Sequence, residues 1–270
     1  MKDHAADEIL GSYEHFDEDK RLADPYGVLQ RRHTEEILRR YLPPAPADVL
    51  DVGGATGPYA FWLADLGYAV HLVDLVPRHV DLARQRNDRV HPLRSCVVAD
   101  ARALPFPDGS ADAVILHGPL YHLAARADRD RVWAEARRLL RPRGLVFGFA
   151  ISRHAGLVYG LSQNLVFDDA YYSVIEHEVS TGVRDNNPPR IRSMLKAYFH
   201  LPDELEAELR VHGFAVEQTL GVAGPGWNTP DAAAAVADPA KLDRLLAIAR
   251  LVERQPLLSQ GLVTIGCRPA

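Results

Sequence analysis

From about Asp48 onward the chain alternates short apolar runs with longer stretches in which apolar residues recur every three or four positions. The runs are Val49–Val52, Ala69–Val73, Cys96–Ala99, Ala113–Leu116 and Leu145–Phe149, and they are largely continuous rather than alternating. A strand that is apolar at successive positions is buried on both faces, which is the mark of a parallel sheet covered by helices on each side. Between the runs, Tyr59–Leu66, the stretch from Pro77 through Arg86, and Arg129–Leu140 read as helices. In the last of these Val132, Ala136, Leu139 and Leu140 fall at helical spacing while arginines take the other face. Pro77 stands where a first helical turn tolerates proline.

The rhythm breaks after Ile151. Two helices are expected around His154–Leu165 and Asp169–Val179, followed by the polar segment Asp185-Asn186-Asn187-Pro188-Pro189. The alternation then resumes with a helix over Pro202–His212, a strand over Phe214–Leu220, a helix over Asp231–Glu253 and a last strand over Gly261–Cys267. The resulting expectation is an α/β protein with a seven-stranded, mostly parallel sheet. It divides into an N-terminal helical cap (1–44), a ligand-binding core (45–151), an inserted helical lid (152–200) and a C-terminal completion of the sheet (201–270).

The turn after the first strand carries candidate chemistry. Asp51-Val52-Gly53-Gly54-Ala55-Thr56-Gly57 runs a strand into glycines and then a helix, which brings backbone close to a ligand at the crevice of an open sheet. Asp74 ends the second strand, where a carboxylate can accept from both ribose hydroxyls. Asp100 ends the third and is followed by small Ala101. Three carboxylates at successive strand ends suit a nucleoside without phosphates. A dinucleotide site needs G-x-G-x-x-G, which is missing, and Asp51 would oppose a pyrophosphate but suit a cationic amino group.

Composition narrows the classes further. The 270 residues carry a net charge of −5, which argues against broad electrostatic binding of nucleic acid. Only Cys96 and Cys267 are present, so no disulfide framework or cysteine zinc site is expected. The histidines form no H-E-x-x-H pattern, and no metal is expected. No apolar run approaches membrane-spanning length and Met1–Glu18 lacks the apolar run of a signal peptide, so a soluble, cytoplasmic protein without a membrane partner is expected.

On these motifs the chain resembles the class I S-adenosylmethionine-dependent methyltransferases, which have a Rossmann-like fold. The pattern D-x-G-x-G-x-G matches at Asp51, Gly53 and Gly57, with Ala55 in place of the middle glycine. Leu116-His117-Gly118-Pro119-Leu120-Tyr121-His122-Leu123 is similar to the G-P-L-Y-H-L signature of bacterial small-molecule methyltransferases; Ala197–His200 and Gly224–Trp227 also look like features of that group. The resemblance implies S-adenosylmethionine as cofactor, with S-adenosylhomocysteine as product. It implies Gly53 and Gly54 against the methionine part, Asp51 toward its amino group, Asp74 on the ribose, Leu75 beside the adenine, Asp100 and Ala101 on the adenine, and His117 lining the pocket. In similar enzymes a segment like that of Tyr13, His15 and Phe16 folds over the cofactor.

Tyr121 and His122 follow the fourth strand, where the methyl donor would face its acceptor, and are expected to be catalytic. His200, with Tyr198, is expected to close the pocket from above. His122 and His200 are the candidate bases, because histidine titrates near neutrality. Glu176-His177-Glu178 is either a base-bearing cluster or a solvated helix face. The apolar and aromatic residues of 152–196 (among them Tyr159, Phe167 and Tyr172) favour a partly hydrophobic small-molecule acceptor, and the protein is expected to be a monomer or homodimer. A protein that binds the same cofactor without methylating, or a nicotinamide-dependent oxidoreductase, is the alternative.

Overall fold

The computed structural model describes residues 4–13, 18–90, 93–185 and 196–270. Three helices come first: α1 (His4–Tyr13), α2 (Glu18–Ala23) and α3 (Pro25–Tyr41). Asp24 starts α3 by accepting from the Gly27 N–H, with Pro25 in the first turn. The alternating core follows as β1 (Asp48–Val52), α4 (Pro58–Asp65), β2 (Ala69–Asp74), α5 (Pro77–Val90), β3 (Ser95–Val98) and β4 (Ala111–Leu116). It continues with α6 (Pro119–His122), α7 (Arg126–Leu139) and β5 (Leu140–Ser152). After α8 (Ala155–Ser162), α9 (Asp169–Thr181), β6 (Val183–Arg184) and β7 (Ala197–His200), the chain returns to the sheet. It does so through α10 (Pro202–Val211), β8 (Ala215–Val222), α11 (Ala232–Ala237), α12 (Pro239–Val252) and β9 (Gly261–Cys267).

The seven expected strands form one sheet in the order β3-β2-β1-β4-β5-β9-β8, with β9 antiparallel to both neighbours and the rest parallel. This is the expected Rossmann-like sheet. Two short strands are additional. β5 overhangs β4, and on the side β4 vacates, Ile151 and Ser152 pair with Phe199 and His200 of β7, which in turn pairs with β6. The helix expected over Asp231–Glu253 is two, because Asp238 breaks it and caps α12 by accepting from the Ala240 and Lys241 N–H groups. The polar segment from Asn186 to Pro189 lies outside the described residues.

Neighbouring residues of one strand feed opposite cores, as a pleated sheet covered on both faces requires. Val49, Ile115 and Phe147 pack with Leu38 of α3, Phe61 of α4 and Val80 of α5. Leu50, Val114 and Val146 pack with Trp133 of α7 and Leu209 of α10. No helix among the described residues is long and apolar enough to cross a membrane.

Candidate active site

The residues that follow β1, β2, β3 and β4 meet at the carboxyl edge of the sheet around a cavity whose empty volume, mouth included, is about 860 Å³. That is the size of a small-molecule site, at the edge where open α/β sheets bind ligands. Gly53 and Gly54 form one wall, Asp74 and Leu75 a second, Asp100 and Ala101 a third, and His117, Tyr121 and His122 a fourth.

The glycine turn is fixed by close approaches. Gly53 has a φ of 78°, and its N–H and that of Gly54 both donate to the Val73 carbonyl, at 2.8 and 3.1 Å. A Cβ on Gly53 would stand 2.4 Å from the His117 carbonyl oxygen, and one on Gly54 would stand 2.7 Å from Asp51 Oδ2. Ala55, where the motif has its middle glycine, also takes a left-handed φ of 49°. An L-residue there costs about 1–2 kcal/mol. The Ala55 N–H donates to Asp74 Oδ2 at 2.8 Å, and the Val76 N–H to Oδ1 at 2.9 Å, so the loop and β2 orient that carboxylate from both sides. His79 Nδ1 approaches Oδ1 at 3.3 Å.

Asp100 is already engaged. The Arg102 N–H donates to its Oδ1 at 2.8 Å and the guanidinium reaches Oδ2 at 2.6 Å, while Nη1 donates to Asp128 at 2.9 Å. A ligand at Asp100 therefore shares an oriented carboxylate. Asp51 differs: it is fully buried, and neither oxygen has a hydrogen-bond partner among the described residues. Burial, reinforced by the charge of Asp74, pushes its pKa up to about 7. It stands behind Gly54 and does not itself form the cavity wall.

The fourth wall is aromatic and uncharged. The His117 ring is stacked between Tyr59 at 4.9 Å and Phe149 at 4.2 Å, and burial, with a smaller effect from Arg21, brings its pKa down to about 3. His122 is lowered to about 4 by burial, although Asp74 pulls the other way. Its Nε2 lies 2.9 Å from the Tyr13 hydroxyl at the end of α1. Burial likewise keeps the Tyr121 phenol protonated.

Among the expected site residues, Gly53, Gly54, Asp74, Leu75, Asp100, Ala101, His117, Tyr121 and His122 all line the cavity. Three do not. Asp51 stands behind the wall, and Gly57 opens α4 with a φ of 91°, packed so closely that a Cβ would meet the Phe61 ring at 2.8 Å. His200, on β7, is fully buried and faces away into a charged cluster, with Nε2 at 3.6 Å from Glu208 Oε1. Arg129 and Trp133 donate to the same carboxylate at 2.9 and 3.0 Å. Burial works against the charge of Glu208, and His200 and Arg129 overcome it, holding the pKa near 2. Tyr198 lies under the Arg129 guanidinium at 3.7 Å. The closing position above the cavity is thus not where the fold puts either residue, because β7 pairs with the overhang of β5 and its side chains are spent on α7 and α10.

None of the described residues of the insertion expected as a lid lines the cavity, and Tyr159, Phe167 and Tyr172 are exposed. Glu176 and His177 form a solvated helix face, while buried Glu178 pairs with Arg184. The cavity is covered instead by the N-terminal helices, through Ile9, Tyr13, Glu18, Arg21 and Leu22. Of these, sequence reading singled out only Tyr13; His15 and Phe16 lie outside the described residues. Arg21 and Glu18 were missed. The Arg21 Nε donates to Glu18 Oε1 at 2.9 Å and Nη1 to Gln30 at 3.0 Å. A charged pair three residues apart on a short helix carries no sequence signal that separates it from a surface pair.

A sheet of this strand order, with a glycine turn and an oriented carboxylate at its carboxyl edge, is that of the open α/β ligand-binding folds. Residues 50–148 match the family model described as a methyltransferase domain. Over 197 residues the chain is 34% identical to a malonyl-[acyl-carrier protein] O-methyltransferase of Geobacter sulfurreducens, covering 71% of this chain and 65% of that one. Over 150 residues it is 31% identical to the ubiquinone/menaquinone biosynthesis C-methyltransferase UbiE of Acidiphilium cryptum, covering 54% and 57%. The match thus spans 65% and 57% of the length of these two relatives, less than two thirds of either. In fold it is similar to an S-adenosylmethionine-dependent methyltransferase of Methanosarcina mazei, with a TM-score of 0.60 at 17% identity over 86% of this chain and 97% of that one. Residues 50–148 are thus a methyltransferase domain of the class I S-adenosylmethionine-dependent kind.

Proposed function

We propose that this chain transfers a methyl group from S-adenosylmethionine to a small-molecule acceptor by in-line displacement. The observation that carries the reading is the cavity itself, which gathers the glycine turn, the doubly oriented Asp74 carboxylate and His122 at one sheet edge. The residues fit the cofactor on a further count. A fully buried carboxylate without a hydrogen bond among the described residues, Asp51, stands directly behind Gly54, and a cationic ligand at the glycine turn lowers the cost of its charge. Gly53 and Gly54 would face the methionine part, Asp74 the ribose, and Leu75, Asp100 and Ala101 the adenine. When bound, S-adenosylmethionine supplies an electrophilic methyl group on a sulfonium.

What the chain adds is binding, alignment and exclusion of water. Tyr121 and His122 line the same cavity as the glycine turn and would receive the acceptor. A pKa near 4 keeps His122 neutral at physiological pH, so its lone pair is available, but it makes His122 a weak base. It suits an acceptor hydroxyl that is already acidic, such as an enol, whose O–H would donate to that lone pair. His200 is assigned to packing rather than to catalysis.

Isothermal titration with S-adenosylmethionine, S-adenosylhomocysteine and NADH tests the reading. Saturable binding of both adenosyl ligands and none of NADH is expected. Folded, ligand-free protein that binds neither adenosyl compound would overturn it.

A further inference from the structure

A neutral imidazole has one N–H and one lone pair, and which nitrogen carries which decides what His122 offers to the cavity. Nε2 lies 2.9 Å from the Tyr13 hydroxyl. Nδ1 makes no hydrogen bond with a described residue, yet it is not sealed in the protein as the Nδ1 of His117 is. His122 lines the cavity, so Nδ1 is the nitrogen that remains for a ligand.

We propose that Tyr13 is a positioning residue: its hydroxyl oxygen accepts the Nε2–H of His122 and so presents the Nδ1 lone pair to the cavity. The proposal rests on the methyl-transfer reading for what Nδ1 does, but the tautomer itself is a property of the chain. Two observations support it beyond the contact distance. Tyr13 is held in place rather than draped over the surface: Ala5 and Ile9 of α1 pack against the core, and the Tyr13 ring stands edge-on to His79 at 5.2 Å and to His122 at 5.5 Å. Glu8 of the same helix pairs with Lys196 at 3.1 Å, tying α1 to the chain just before β7. A cationic ligand reinforces this tautomer: beside Asp74 and Asp100 it would meet either an Nδ1–H dipole, which opposes its charge, or a lone pair, which favours it. The consequence is that docking of α1 and the readiness of His122 are one event.

The test is a long-range proton–nitrogen correlation spectrum of the full chain labelled with nitrogen-15 histidine, alone and with S-adenosylhomocysteine. The His122 signals are assigned by their loss in His122→Gln. Nitrogen shifts showing protonated Nε2 and bare Nδ1 are expected, and in Tyr13→Phe the ratio of tautomers should move toward Nδ1–H by roughly fivefold, the worth of one hydrogen bond. A wild-type His122 protonated at Nδ1 overturns the proposal, as does a tautomer ratio that Tyr13→Phe leaves unchanged. If Tyr13→Phe fails to fold, the wild-type spectrum still decides. Calorimetry keeps the two readings apart: failure of S-adenosylhomocysteine to bind sinks the proposed function, while intact binding with the wrong tautomer sinks only the role of Tyr13.

Discussion

Asp51→Asn should stabilise the ligand-free protein in a pH-dependent way. In the folded chain the Asp51 pKa is raised from 3.8 to about 7, chiefly because the carboxyl is buried, and secondarily by Asp74. The folded state therefore holds a proton that the unfolded chain releases between these two values. The sign follows from linkage: this group's contribution is most favourable at low pH and is lost as pH rises from about 4 to about 7. Once ionised in both states, the separation amounts to about 4 kcal/mol. At about pH 5 less than half of that loss has accrued, whereas near pH 8 nearly all of it has. The variant carries no such loss, so the gain of Asp51→Asn over wild type should grow by about 2–3 kcal/mol between those two conditions. Urea unfolding of both proteins at each pH measures it, and taking the difference of differences removes any constant cost of the buried amide. A gain that does not change with pH would refute the claim that Asp51 is an uncompensated buried carboxylate.

Other outcomes follow from the same geometry. Asp74→Ala removes an acceptor oriented by the Ala55 and Val76 N–H groups; S-adenosylhomocysteine affinity should fall about 10–100-fold, the worth of a hydrogen bond to a charged group, and near-wild-type affinity by calorimetry would unseat the ribose assignment. Ala55→Gly relieves the left-handed strain at φ 49°; set against the entropy of glycine in the unfolded chain, the net gain should be about 0–1 kcal/mol by chemical denaturation, and a clear loss would contradict it. His200→Gln should lower stability by about 1–3 kcal/mol, because it disturbs a buried charged cluster. The same variant should leave S-adenosylhomocysteine affinity within about twofold, as expected of a group off the cavity wall, and a much larger fall in affinity would return His200 to the site.

Local pattern along the chain encoded the sheet and the residues at its edge. Continuous apolar runs identified the first five strands of the main sheet, since burial on both faces leaves no room for polar alternation, and the resumed helix–strand rhythm identified the other two. The order of glycine turn, Asp74, Asp100 and His117 was readable because each follows directly after a strand, and parallel strands deliver their ends to one edge. Tyr121 and His122 were legible for the same reason. The tertiary structure alone decided what covers that edge. Residues 152–200 were expected to do so, but the overhang of β5 captured β7 as a sheet partner and turned Tyr198 and His200 toward Arg129 and Glu208. The covering fell to α1 and α2, whose Tyr13, Glu18 and Arg21 reach the cavity from far away in sequence. Long-range packing of this kind leaves no periodicity in the chain: an amphipathic helix records that it buries one face, not which surface it buries it against.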